Sequence, residues 1–223
     1  MVQVIFFDTS DTLYHNDEFG NAFKVNKYKR LAEKLGISLA EATAKYKAKK
    51  EELKKTMSHP SGVFIMAEFG VDRMTNLEWV AEIDPRNFLQ KDERLQQMIA
   101  SLAASYKLGV ITNILEKNFL AILDALGVPK EQFSYLVTAD KVTKSKPYPE
   151  PFEKAVALAG VAPEECVYVG DSLKKDLIPA KNIGMKTVWV SAEAHEHEHV
   201  DAFCETIYDV LEKVDQINLQ ASP

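Results

Sequence analysis

Two apolar strands that each run straight into an acidic loop constrain this chain more than any other feature. Val4-Ile5-Phe6-Phe7 leads into Asp8-Thr9-Ser10-Asp11-Thr12, and Val167-Tyr168-Val169 leads into Gly170-Asp171, with Asp176 beyond it. Residues 2–7, apolar apart from Gln3, read as a buried strand. From about residue 92 helix and strand patterns alternate: helix 91–105, strand 107–112, helix 116–126, strand 134–138, helix 150–159, strand 166–169, helix 173–183 and strand 186–190. Glycines at 127, 160 and 184 stop three of the helices. Such alternation predicts an α/β fold, a parallel sheet with helices on both faces. Active sites of such sheets lie beyond the carboxyl ends of the strands, where Asp8, Thr112 and Asp171 fall.

Residues 15–90 follow a different, helical pattern. One helix covers about 20–35 and stops at Gly36. Ser38-Leu39-Ala40-Glu41 has the form of a capping box, in which serine and glutamate satisfy free amides at a helix start. That helix is expected to run to about Met57, where Ser58-His59-Pro60-Ser61-Gly62 breaks it. Short helices are expected near 62–70 and 75–82, and Pro85 marks the return to the sheet. The domains are therefore 1–14 with 91–223, and an inserted all-helical domain at 15–90 standing over the site.

Each site residue has a chemical reading. Asp8 can attack phosphorus or carbon and form a covalent intermediate. Asp171, after a glycine that permits a tight turn, offers the hard oxygen ligand that Mg²⁺ takes, with substrate phosphate completing the shell. Asp176 either joins that metal shell, pairs with Lys146 or caps its helix. Thr112 ends its strand and Asn113 follows; a hydroxyl and amides there can bind a phosphoryl oxygen. Lys146 stands between Ser145 and Pro147, in a loop whose prolines limit backbone freedom, and a fixed cation there stabilises transition-state charge.

In their order along the chain these elements resemble the haloacid dehalogenase superfamily: Asp8-Thr9-Ser10-Asp11-Thr12, then Thr112, then Lys146, then Gly170-Asp171 with Asp176. Phe6-Phe7-Asp8 through Tyr14, and Ala180 through Thr187, look like the pyrimidine 5′-nucleotidase-type branch. The resemblance implies a Rossmann-like core with a helical cap and Mg²⁺-dependent hydrolysis of a phosphate ester through an aspartyl-phosphate. It implies metal ligation by Asp8, the Ser10 carbonyl and Asp171 with Asp176, and phosphoryl binding by Thr112, Asn113, Lys146 and Ser10. One position departs from the pattern. Family phosphatases carry a second aspartate, the general acid/base, where this chain has Ser10, and Asp11 takes the usual glycine position. General acid–base catalysis is typically worth ~10²–10⁴-fold, so turnover is expected to be weak or unusual. Asp11 or His15 could substitute, and an acyl phosphate would need the missing acid less.

Three functions follow. The first is a Mg²⁺-dependent phosphatase of a small phosphorylated metabolite, the second a catalytically impaired phosphate-binding or regulatory relative. The third is a 2-haloacid dehalogenase-type hydrolase, which needs no acid for halide. A net charge of −6 argues against nucleic acid as a partner. No apolar run suggests a membrane span and no leader pattern is present, so a cytoplasmic monomer or homodimer is expected. Cys166 and Cys204 lack metal-ligand spacing, and Cys166 reads as a small core residue. The lysines at 45, 47, 49, 50, 54 and 55, interleaved with Glu41, Glu51 and Glu52, read as a solvated helix face. His195, His197 and His199 would share one face of an extended segment and could take Zn²⁺ adventitiously, though a solvated loop is the better reading.

Overall fold

A computed structural model describes residues 1–56 and 61–220. The expected helix end at Met57 and the Ser58-His59-Pro60 segment lie outside the described residues. The chain divides into two compact units, Met1–Asn16 with Leu89–Pro223, and Asp17–Phe88.

Strand β1 (Val4–Phe7) is buried along its whole length. Helices α1 (Asp17–Leu35), α2 (Leu39–Leu53), α3 (Gly62–Ala67) and α4 (Arg73–Ala81) form the second unit. The capping box is present: Glu41 N donates to the Ser38 hydroxyl at 3.2 Å and Ser38 N donates to the Glu41 carboxylate at 3.0 Å. Leu31, Ala42, Tyr46, Ile65 and Met66 form this unit's core. No helix of the described residues is long and apolar enough to cross a membrane.

The rest of the chain builds the sheet. Helix α5 (Glu93–Ser105) precedes β2 (Lys107–Ile111), and α6 (Glu116–Leu126) precedes β3 (Phe133–Val137). After α7 (Glu150–Ala159) come β4 (Cys166–Gly170), α8 (Ile178–Asn182), β5 (Lys186–Val190), β6 (Ala202–Cys204) and α9 (Val210–Gln220). All strand pairs are parallel, in the order β3-β2-β1-β4-β5-β6. This is the α/β, Rossmann-like fold that the alternation predicts. The connections reverse direction at β1, so its carboxyl end and those of β2 and β4 open on one crevice.

Two elements depart from expectation. Strand β6 was not anticipated, because Ala202-Phe203-Cys204 is too short to show a period of two. The helix expected at 173–183 is instead a π-type turn, Leu173–Leu177, followed by the short α8. In that turn the amides of Asp176 and Leu177 both reach the Ser172 carbonyl, at 2.9 and 3.3 Å. The widened turn carries Asp176 fully into the interior. Pro179 falls in the first turn of α8, where a missing N–H removes no helical hydrogen bond.

Candidate active site

Four chain segments converge beyond the carboxyl ends of β1, β2 and β4. Asp8 follows β1, and its amide donates to the Val169 carbonyl of the adjacent strand at 2.9 Å. Lys146 arrives in a loop held from below: Asn113 Nδ2 donates to the Lys146 carbonyl at 3.0 Å, and Lys146 N donates to Asn113 Oδ1 at 2.9 Å. The Asn113 side chain thus ties down the loop. These two bonds use one of the two N–H groups and one lone pair of the side chain.

The lysine ammonium lies at the centre. It donates to Asp8 Oδ1 at 2.8 Å, Asp176 Oδ1 at 2.6 Å and the Tyr168 hydroxyl at 2.6 Å. All three of its protons are therefore committed. The Tyr168 hydroxyl has one proton to give, and reaches Asp176 Oδ1 at 2.9 Å and the Ile111 carbonyl at 3.2 Å. Asp176 Oδ2 accepts from the Ser172 amide at 3.2 Å. Both oxygens of Asp176 are engaged, and its side chain is 1% exposed. Gly170 makes room for this: a methyl group there would stand 2.8 Å from Asp176 Cβ and 3.0 Å from Tyr168 Cε1.

The carboxylates of Asp8, Asp171 and Asp176 each offer an oxygen within 4.8 Å of the others. One ammonium faces three acids, so negative charge is in excess. Burial pushes Asp8 up to about 6; Lys146 pulls it down and Asp176 pushes it up further. Burial, then the charges of Asp176, Asp8 and Asp11, push Asp171 up to about 7. Burial disfavours the Lys146 ammonium, but Asp176 and Asp8 outweigh it and hold the pKa above its ordinary value. A divalent cation would relieve the excess charge, and hard carboxylate oxygens suit Mg²⁺. Asp171 fits a ligand best: its carboxylate has no hydrogen-bond partner among the described residues, while its carbonyl is fixed by Trp189 Nε1 at 2.8 Å.

Thr112, the residue after β2, is buried, and its amide donates to the Val137 carbonyl at 3.0 Å. Ser10 and Asp11 fold differently from each other. The Ser10 hydroxyl shares a hydrogen bond of 3.0 Å with the Tyr14 hydroxyl. Burial pushes the Tyr14 phenol up to about 12, so the pair is neutral. Asp11 adopts a left-handed backbone (φ 59°), which aspartate tolerates better than most residues, and its carboxylate meets His15 Nδ1 at 2.6 Å. Both side chains of that pair are exposed.

Sequence reasoning missed Tyr168 and Tyr14. A signal existed for Tyr168: a phenol within an otherwise aliphatic buried strand needs a polar partner for its tip. His195 packs on Trp189 with ring centroids 5.1 Å apart, while His197 and His199 lie together at 5.4 Å. Among the described residues, only Asp8, Asp171 and Asp176 form a group with the mutual spacing of metal ligands. Cys166 and Cys204 are free and buried.

Residues 7–190 match the family model of haloacid dehalogenase-like hydrolases. The chain belongs to this family. It is similar to a glyceraldehyde 3-phosphate phosphatase of Pyrococcus furiosus, 30% identical over 200 residues, covering 84% of this chain and 80% of that protein. It also resembles the pyrophosphatase PpaX of Bacillus cereus (strain G9842), 27% identical over 91% of this chain and 89% of the relative. Among solved structures, a HAD phosphatase from Thermococcus onnurineus superposes with a TM-score of 0.71 at 27% identity, covering 96% of this chain and 98% of the other. This haloacid dehalogenase-like chain is thus an enzyme of a hydrolase family, with relatives named phosphatases.

Proposed function

We propose that the chain is a Mg²⁺-dependent phosphatase of a small phosphorylated metabolite, with weakened acid–base chemistry. The observation that carries this reading is Asp8 held by a buried ammonium beside two further carboxylates. Lys146 orients Asp8 as the nucleophile and offsets its charge. Asp8, Asp171 and the Ser10 carbonyl would hold the metal. Asp176, with both oxygens engaged, positions Lys146 rather than facing substrate. Bound Mg²⁺ supplies charge neutralisation for the transferring phosphoryl group. Asp8 attacks phosphorus, the leaving oxygen departs, and water then cleaves the aspartyl-phosphate. Thr112 and the neighbouring backbone bind the phosphoryl oxygens. The relatives named for glyceraldehyde 3-phosphate and pyrophosphate support a small phosphorylated substrate.

Both hydrolytic steps want a proton-transfer group, and the Ser10–Tyr14 pair is neutral and not acidic near pH 7. Substrates whose leaving group is already a weak base suit such a site. The same pair favours a second reading, a relative that binds phosphate with metal and turns over little. Hydrolysis of an activated aryl phosphate with Mg²⁺, wild type beside Asp8→Asn, decides between them. Turnover lost in the variant supports the phosphatase; equal rates in both proteins reject Asp8 as nucleophile.

A further inference from the structure

The backbone that carries Asp171 is held on both of its polar groups. The peptide unit joining Asp171 to Ser172 has one acceptor and one donor. Its carbonyl accepts from Trp189 Nε1 at 2.8 Å, and its amide, that of Ser172, donates to Asp176 Oδ2 at 3.2 Å. Trp189 comes from β5, where it stands in register with Gly170 of β4. It is 7% exposed and belongs to the core cluster of Leu177, Ala180 and Met185, so packing fixes the ring. An indole carries a single N–H and no acceptor, and here that one donor goes to the Asp171 carbonyl.

Asp171 needs such a hold more than its neighbours do. It follows Gly170, and glycine has the least restricted backbone of any residue. Its carboxylate faces the negative charges of Asp176, Asp8 and Asp11. Repulsion among them favours turning the carboxylate outward, away from the cluster. A peptide plane fixed at both its carbonyl and its amide sets the direction in which the side chain leaves the backbone, so the repulsion is not relieved by rotating that plane. Asp176 is itself tied to Lys146 at 2.6 Å, and Lys146 to Asp8 at 2.8 Å. Trp189 is the one member of this chain of contacts that carries no charge.

We propose that Trp189 is a positioning residue for the metal: its indole N–H, acting with Asp176 on one peptide unit, presets the Asp171 carboxylate for a divalent cation. The role rests on the reading of Asp8 and Asp171 as metal ligands. Hydrogen bonds that orient a ligating side chain are typically worth about 10–100-fold in metal affinity. The tryptophan acts through Asp171, so its effect falls on metal binding before it falls on the phosphoryl group.

Calorimetric titration of the full-length protein with MgCl₂ alone, near pH 8, tests it. Trp189→Phe removes the N–H and keeps an aromatic ring in the core; Mg²⁺ affinity should fall about 10-fold or more. Met185→Ala is the control for packing. Met185 is fully buried in the same cluster but precedes β5, at the opposite end from Trp189. This variant should lower the urea midpoint and leave Mg²⁺ affinity unchanged, and circular dichroism confirms that both variants fold. Should Trp189→Phe fail to fold, 3-benzothienylalanine can replace the single tryptophan left in a Trp79→Phe background. It keeps the two-ring shape without the N–H, and should lower the affinity by the same factor. Affinity unchanged in these Trp189 forms overturns the proposal. Equal weakening by Met185→Ala also overturns it, because general loosening of the core would then be the cause. Wild type that binds no Mg²⁺ rejects the metal reading itself, and the role of Trp189 with it; wild type and Trp189→Phe binding alike reject the role alone.

Discussion

Replacing Lys146 by methionine tests the electrostatic account of the site most directly. The substitution keeps the apolar stem and removes a charge whose side chain is 2% exposed. That charge contacts Asp8 at 2.8 Å and Asp176 at 2.6 Å. At an effective dielectric near 20, each contact carries on the order of 6 kcal/mol of Coulomb attraction. Desolvation offsets most of that gain, and removing one partner of a buried pair costs about 3–5 kcal/mol, because the other charge stays buried. With a urea slope of ~2 kcal/mol/M, the midpoint in EDTA should fall by roughly 2 M near pH 8. The loss should shrink with acid. Without Lys146, Asp8 titrates above its wild-type value of about 6, since the ammonium is what lowers it. A carboxyl raised in the folded state costs stability progressively as pH climbs from the unfolded pKa to the folded one. Near pH 5 much of that cost is absent, and the variant should recover a large part of the difference. An unchanged midpoint near pH 8, or a destabilisation equal at both pH values, would refute the reasoning.

Three further outcomes are expected. Ser10→Asp should speed hydrolysis of alkyl phosphates by about 10²–10⁴-fold and of activated aryl phosphates much less, so a uniform effect on both counts against a missing acid. Tyr168→Phe removes a hydroxyl from Lys146, Asp176 and the Ile111 carbonyl together; kcat should drop with little change in KM, and stability should fall by about 1–3 kcal/mol in thermal melts. Mg²⁺ competes with protons on Asp8 and Asp171, raised to about 6 and about 7, so affinity should weaken roughly 20-fold from about pH 8 to about pH 6. A flat calorimetric profile over that interval would mean that these carboxylates do not ligate the metal.

Much of the fold was legible. Five of the six strands, the glycine stops at 127 and 160, and the capping box at Ser38 rest on local preferences that short windows display. Strand β6 and the π-type turn were not, because three residues carry no period and a widened turn differs from a helix by one shifted bond. At the site, Asp8, Lys146, Asp171 and Asp176 could be picked out from strand ends and order along the chain. The working partner of Lys146 could not. Tyr168 reads as an ordinary strand residue until the fold sets its hydroxyl 2.6 Å from an ammonium 22 positions away.

The sequence by itself determined the alternation of strands and helices, the acidic loops at the ends of β1 and β4, and serine in place of a second aspartate. These are properties of adjacent residues, set by hydrophobic period and chain order. Only the tertiary structure decided how the side chains are spent: Lys146 on three acceptors, Asn113 on a loop, Ser10 on Tyr14, and Trp189 on the Asp171 carbonyl. Hydrogen-bond commitment depends on distances of a few tenths of an ångström between residues far apart in sequence. No local pattern carries that information, because it exists only once the sheet has closed and the helices have packed.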